Sequence, residues 1–527
     1  MPHNRTLCSL LREQTDRFGD RPAVVSHGQA TSYRALADAA SRVAGGLAAR
    51  GIGRGARVGI LAENRREWLE AAFGAATLGA VAVPLSTWSR EGELDYLIGD
   101  ATLDALFAVE SFGGQDFAAA LARLQPEHQR LRTVVMIGEA RRPDWLAYDE
   151  FIAAAEPMTG DDAGPRDDAF ILYTSGSSAR PKAVRLQHGA TVENGFNIGE
   201  RMALTENDRV LLAPPLFWAY GAVNALPAAL THGAALVLQP RFEAGGWLDL
   251  IERQRCTAIY TLPSMTGAAI RHPEFRRERL ASLRTGLMIG SPEEVRIAAT
   301  GLGAAQICNI YGATETYGNC AVTPAGWPLD RRMVSQGPPL PGMRIRIVDP
   351  ETGRALPANE AGAVEVAGLV TAGYCGASAE HNQAAFTADG YFRTGDIGLL
   401  DADGDFRFVA RGSDIIKRAG INVSPAEVET LLLRHAAVAQ AAVVGAPAGE
   451  RGEAIVAFVV PAPGSEIDGE ALRQHCRALA SAYKVPDRIE ICAALPATET
   501  GKIFRRGLKD QAAALLAAAP SGQRRIC

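Results

Sequence analysis

The sequence predicts an α/β protein: a large N-terminal domain with a β-rich stretch near its end, followed by a small α+β domain. Three observations predict it. The first 170 or so residues alternate helical and strand periodicities, the pattern of an α/β domain with a largely parallel sheet. From Gly337 to Glu365 the texture changes to short strands separated by Pro, Gly and Asp. Beyond Arg411 a compact run alternates helix and strand again in segments such as SPAEVETLLLRHAAVAQAAVVG and EAIVAFVV.

Taken in order, the early pattern predicts a helix near Tyr33 to Arg50 and a strand at Arg57 to Leu61. A helix near Arg66 to Leu78 and a strand at Ala80 to Pro84 follow. The apolar runs Phe170–Tyr173 and Ala183–Leu186 read as two more strands. In the C-terminal run, Pro425–Leu433 is predicted as a helix, with Ser424 as N-cap, Pro425 in the first position and Glu427 three residues after the cap. The domain boundary is placed between Gly412 and Ser413, giving domains 1–412 and 413–527.

A chain of 527 residues exceeds what one hydrophobic core usually organises, which implies two or more domains. With 47% hydrophobic and 21% charged residues its composition is ordinary, and a net charge of −5 without a long basic run argues against nucleic acid as a partner. The opening MPHNRTLCSLLREQTDRFGDRP scatters charges where a signal peptide would be apolar, and no stretch suits membrane insertion. A cytoplasmic protein is expected. Eight cysteines spread over the whole length without a C-x-x-C pair suit reduced, packed thiols. The scattered histidines give no spacing for a dedicated zinc site.

The segment ILYTSGSSARPKAV, residues 171–184, places small hydroxyls, one glycine and a lysine between two strands. It is not a Walker loop: counted from Gly176, Pro181 stands where the second glycine would be, and Ala183 replaces the metal-binding hydroxyl after Lys182. Two readings stay open for the segment alone, a polar surface turn or a phosphate grip built from backbone N–H groups, hydroxyls and a cation.

Six motifs follow one another along the chain: YTSGSSARPKAV (173–184), PLFWAYG (215–221), YGATE (311–315), YFRTGD (391–396), ARGSDIIKRAGINVSPAEVE (410–429) and PATETGKIFRR (496–506). In order and spacing they resemble the core motifs of the adenylate-forming superfamily, which contains acyl- and aryl-CoA ligases, luciferases and peptide-synthetase adenylation domains. The resemblance spans nearly the whole chain. It implies a large N-terminal domain of stacked α/β subdomains plus a β-rich subdomain, a small mobile α+β C-terminal domain, and an active site between them.

That chemistry explains the residue types. A carboxylate must attack the α-phosphorus of ATP, and two anions repel until positive charge and a metal neutralise them. By the resemblance Lys502 is the catalytic lysine that spans the carboxylate and the α-phosphate. Glu315 is the Mg²⁺ ligand, and Thr314 approaches the α-phosphate. Thr174, Ser175, Gly176, Ser177, Ser178 and Lys182 surround the outer phosphates, with Thr174 and Glu315 counted among the catalytic residues. Asp396 takes both ribose hydroxyls, assisted by Arg411. Gly290, Ser291, Pro292, Asn309, Tyr311 and Gly312 belong to the nucleotide site. Trp218, Tyr220, Gly221, Asn224, Gly290 and Tyr311 line the acid pocket. Ser413 is the hinge, and Gly420 lets the pantetheine chain of CoA run close to the backbone.

Within the loop 171–184 two residues depart from the family's pattern, Ala179 and Ala183, each standing where glycine is usual. A positive φ at either would make the methyl group cost roughly 1 kcal/mol or more. PLFWAYG carries no charge to pair with an α-ammonium, so an uncharged acyl, alicyclic or aryl acid is expected rather than an amino acid. The chain ends too soon after Lys502 for a carrier module, which leaves CoA or a separate acyl carrier protein as acceptor. The expected function is an ATP-dependent acid–CoA ligase. Its alternatives are a free-standing adenylating enzyme that loads a carrier protein and a weakly active nucleotide-binding paralogue. A homodimer is a further candidate assembly.

Overall fold

RVGIL, the strand Arg57–Leu61, is apolar on both faces because both are covered, the condition of a strand inside a parallel sheet. It sits within an eight-stranded sheet in a computed structural model of the chain, which describes residues 5–140, 142–158, 160, 162–174, 181–418, 421–448, 452–480, 482–497 and 503–517. The strand order of that sheet is Tyr374–Cys375, Lys182–Gln187, Asp168–Thr174, Val81–Pro84, Arg57–Leu61, Ala105–Val109, Thr133–Ile137, Leu146–Ala147. Pairing is parallel from Asp168–Thr174 to the last strand and antiparallel at the other edge.

A second eight-stranded sheet runs Ala321–Val322, Gln306–Tyr311, Thr285–Met288, Ala258–Tyr260, Arg209–Leu212, Ala235–Leu238, Pro22–Ser26, Gln29–Ser32. Its six central strands are parallel. Helices lie between the sheets. Trp68 on the helix Arg66–Thr77 stacks on Phe170 of the first sheet at 6.2 Å, while the helix His188–Met202 touches strands of both.

Asn64 ties the sheets together. Leaving the strand Arg57–Leu61, its buried amide donates to the carbonyls of Leu212, Pro214 and Gln239 (3.3, 3.0 and 3.1 Å) and accepts from the N–H of Leu216 at 2.7 Å. One side chain thus engages backbone groups at the ends of two neighbouring strands, Arg209–Leu212 and Ala235–Leu238; the Leu212 carbonyl also accepts from the Gln239 N–H at 3.1 Å.

The chain divides into two compact units, residues 1–345 with 365–393, and residues 346–364 with 394–527. This division falls upstream of the Gly412–Ser413 boundary expected from sequence. The β-rich texture read after Gly337 is a four-stranded sheet, Arg344–Val348, Gly362–Ala367, Phe392–Leu400 and Phe406–Arg411 in that order, and most of it groups with the C-terminal residues.

Within the second unit a three-stranded sheet, Val438–Pro447, Glu453–Pro461 and Arg488–Ile491, is apolar on both faces. Val443, Ile455, Ala457 and Val459 face Val428, Leu432 and Leu472 of the helices Pro425–Leu433 and Gly469–Leu479. The alternate residues Ala442, Val444, Val456 and Phe458 meet Leu508 and Ala512 of the helix Arg505–Ala517. The helix Pro425–Leu433 starts where the sequence places it, but Ser424 makes no capping hydrogen bond with its side chain; its hydroxyl donates to the carbonyl of Val409 at 3.0 Å. Among the described residues no helix is long and apolar enough to cross a membrane.

Candidate active site

The strands Asp168–Thr174 and Lys182–Gln187 form an antiparallel pair with Thr174 opposite Lys182. Ser175, Gly176, Ser177, Ser178 and Ala179, the turn between them, lie outside the described residues. Ala183 is buried in extended strand, paired with Tyr173 and Cys375, and its N–H donates to Ser378 Oγ at 3.0 Å. It is not among the residues with positive φ, so the methyl that replaces glycine there carries no backbone strain.

Tyr374 extends this sheet edge and joins two residues expected in the site. Its hydroxyl donates to Glu315 Oε1 at 2.9 Å, and its ring lies 5.2 Å from Lys182 Nζ. Burial first, and then the neighbouring carboxylate, push the phenol far above its ordinary value, which keeps it a proton donor.

Glu315 is delivered by the turn after the strand Gln306–Tyr311. Gly312 fits only as glycine: a Cβ there would come within 2.5 Å of the Asn319 Cα, with the Gly318 carbonyl closer still. The turn Thr314–Thr316 follows, and the buried amide of Asn194 holds its downstream carbonyls, those of Tyr317 at 3.2 Å and Asn319 at 2.9 Å. Asn309, one strand position inside, is buried; its Oδ1 accepts from the N–H of Ile310, and its Nδ2 has no partner among the described residues. Tyr311 closes the strand, mostly buried.

PLFWAYG leaves the end of the strand Arg209–Leu212 and enters a π-helical turn, Gly221–Ala225, a bulge that recurs at functional sites. Three rings cluster edge-on: Trp88 lies 5.2 Å from both Phe217 and Trp218. Tyr220 donates to the carbonyl of Leu287 at 2.8 Å and packs on Tyr260 at 4.9 Å, whose hydroxyl in turn donates to Asn224 Oδ1 at 2.8 Å. Asn224 Nδ2 is buried without a partner among the described residues. A Cβ at Gly221 would lie 2.5 Å from the Pro215 carbonyl, so the loop can close only on glycine.

Beside this loop, Gly290, Ser291 and Pro292 follow the strand Thr285–Met288. Ser291 and Glu294 form a reciprocal capping box on the helix Pro292–Ile297, which commits the serine hydroxyl to the helix start. The neighbouring Ile289 is 48% exposed.

In the second unit Asp396 and Arg411 are register partners on adjacent strands, with Arg411 Nε 3.1 Å from Asp396 Oδ1. Ser413 lies in the turn Gly412–Asp414 that follows. Gly420 and Lys502 lie outside the described residues. The structure therefore brings together Thr174, Lys182 and Glu315 in one unit and Asp396 with Arg411 in the other. Sequence reasoning missed Tyr374, Asn64 and Trp88. Tyr374 carried one signal, an aromatic directly after a glycine in the short run TAGYCG, but nothing in that run states its partners.

Two stretches of the chain match family models: residues 11–375 the AMP-binding enzyme, and residues 427–502 the AMP-binding enzyme C-terminal domain. The chain is 31% identical to the putative acyl-CoA synthetase YngI of Bacillus subtilis, covering 96% of this chain and 97% of that protein. The anthranilate CoA ligase AuaEII in complex with anthranoyl-AMP superposes with a TM-score of 0.88 at 28% identity, over 98% of this chain and 99% of that one. ATP-bound MatB from Rhodopseudomonas palustris gives 0.85 at 28% identity, over 96% and 98%. Fold and matched sequence define an AMP-forming ligase. The chain belongs to the AMP-binding enzyme family, and its reaction is the ATP-dependent ligation of a carboxylic acid to CoA through an acyl-adenylate.

Proposed function

We propose that this ligase acts on an uncharged aliphatic, alicyclic or aromatic acid, and that Thr174, Lys182 and Glu315 form its phosphate and metal site. The observation that carries the site assignment is the convergence of Lys182 and Glu315 on Tyr374 at the end of the hydroxyl-rich turn. A cation and a carboxylate held on one sheet edge suit a triphosphate and its metal. The Glu315 carboxylate accepts a hydrogen bond from Tyr374 and forms no ion pair among the described residues, leaving an anionic oxygen donor of the kind Mg²⁺ prefers. Bound there, Mg²⁺ would offset charge on the outer phosphates.

The uncharged acid is supported by the loop 215–221, whose Phe217, Trp218 and Tyr220 are aromatic and which contains no ionisable acid or base other than the phenol. That phenol is pushed well above its usual value by burial, so it stays neutral. Asp396, assisted by Arg411, takes the ribose hydroxyls as a diol acceptor. Lys502 supplies the point charge for adenylation, and rotation about Ser413 replaces it with the Gly420 loop for thiol attack. ATP and CoA as co-substrates suit a cytoplasmic location.

Acid-dependent pyrophosphate release across a panel of aliphatic, alicyclic, aromatic and amino acids tests the substrate class. Turnover of the first three groups is expected, and release driven best by amino acids would overturn it. Thioester formation with CoA alone is expected in the same assay, whereas product formed only with an added acyl carrier protein would move the acceptor to that protein.

A further inference from the structure

The segment 365–393 leaves the second unit's sequence neighbours and returns to the first sheet, where its strand Tyr374–Cys375 pairs with Ala183 and Val184. Its backbone is clamped there. The N–H of Tyr374 donates to Asn382 Oδ1 at 2.8 Å, and Asn382 Nδ2 donates back to the Tyr374 carbonyl at 3.0 Å. Thr371 reinforces the return: its N–H donates to the Glu315 carbonyl at 2.7 Å, and its hydroxyl to the Arg185 carbonyl at 2.6 Å. A tyrosine so held has little freedom left, and both ends of its side chain are engaged. The hydroxyl reaches Glu315 and the ring face meets Lys182.

We infer that Tyr374 is a positioning residue for the phosphate and metal site, orienting the Glu315 carboxylate through its hydroxyl and steering the Lys182 ammonium through its ring. The inference rests on the reading of Glu315 and Lys182 given above. A hydrogen bond to one carboxylate oxygen fixes the plane of the group and so directs the second oxygen, the way outer partners orient a metal's ligands. The ring attracts the ammonium without neutralising it, as a carboxylate would. Lys182 therefore keeps its full charge for an anionic ligand. The tyrosine also serves both groups at once, so the cation and the anion are held apart instead of collapsing into an ion pair.

The test uses the full-length protein and measures binding as well as turnover. Tyr374→Phe removes the hydroxyl and keeps the ring. Its expected effect is a rise of about 10-fold in the Mg²⁺ concentration that half-saturates ATP binding in calorimetry, the usual size for loss of a partner behind a metal ligand. AMP binding without metal should stay within about twofold of the unmodified protein, which also shows that the variant is folded. Tyr374→Leu, which removes the ring as well, should add a loss of ATP affinity in the absence of Mg²⁺ that Tyr374→Phe does not show. Glu315→Gln separates the inference from the reading beneath it. If Glu315→Gln shifts the Mg²⁺ midpoint and Tyr374→Phe does not, the positioning role is overturned while the metal site stands. If neither shifts it, both fall. Equal loss of AMP and Mg²⁺–ATP binding in Tyr374→Phe would mark a merely structural tyrosine and also overturn the inference.

Discussion

Asp396 and Arg411 face each other across adjacent strands, with 3.1 Å between Oδ1 and Nε and side-chain exposures of 4% and 58%. The carboxylate is enclosed and the guanidinium reaches out to solvent, so the pair offers a fixed acceptor beside an adjustable cation. Asp396→Ala should abolish most of the preference for ATP over 2′-deoxy-ATP, because the diol acceptor is gone. Arg411→Ala should weaken both nucleotides by a similar factor. Comparing kcat/KM for the two nucleotides in each variant checks this.

Lys502→Ala is expected to slow adenylation by roughly 100-fold or more, as for loss of a transition-state donor, while a supplied acyl-adenylate still reacts with CoA. Gly420→Leu should give the converse. Separate assays of pyrophosphate release and thioester formation read the two half-reactions, and equal loss of both in either variant would contradict the proposed rotation.

Asn64→Leu should destabilise the fold by about 3 kcal/mol or more, since it leaves buried backbone donors and acceptors unmade at roughly 1–3 kcal/mol each. The N–H of Leu216 is one of these groups, so the loop 215–221 should loosen as well. Denaturant unfolding gives the first effect, and a raised KM for the acid gives the second.

Gly312→Ala forces a Cβ against Asn319 and the Gly318 carbonyl, so the turn that carries Glu315 must shift. Adenylation should fall by about 10-fold or more for a displacement near 1 Å. The melting temperature should drop less than in Asn64→Leu, since no buried group loses its partner.

Cys256 and Cys308 are pushed up by burial to about 12. Their folded values lie above the unfolded one, so the stability they contribute is complete below the ordinary thiol range. It is lost as pH rises from the unfolded value, near 8.5, through the folded value. Thermal melts from pH 8 to 11 should therefore show a falling melting temperature, with a shallower slope in Cys308→Ala. Both thiols should resist alkylation at pH 8 until the protein is unfolded.

Local signals in the sequence located elements whose causes are local. RVGIL is a strand wherever it is buried, and Pro425 after Ser424 marks a helix start in any context, so both were legible. Glu315, Asp396 and Arg411 could be singled out as site candidates because a short segment carries each. Ser424 shows the limit: its hydroxyl is able to accept from the helix N-terminus and to donate to a carbonyl, and the folded chain uses only the donation, to Val409. Tyr374 and Asn64 were not legible because their roles are fixed by partners far away in sequence. Ala183 illustrates the same point in reverse, since its departure from glycine mattered only if its φ were positive, a property of the fold.

The sheet of residues 438–461 and 488–491 is lined with apolar side chains on each side and covered by helices drawn from its own stretch of chain. Each face of this sheet therefore completes its burial with side chains from residues 416–516, so the loss of one covering helix would strand the apolar residues of one face and leave the other face packed.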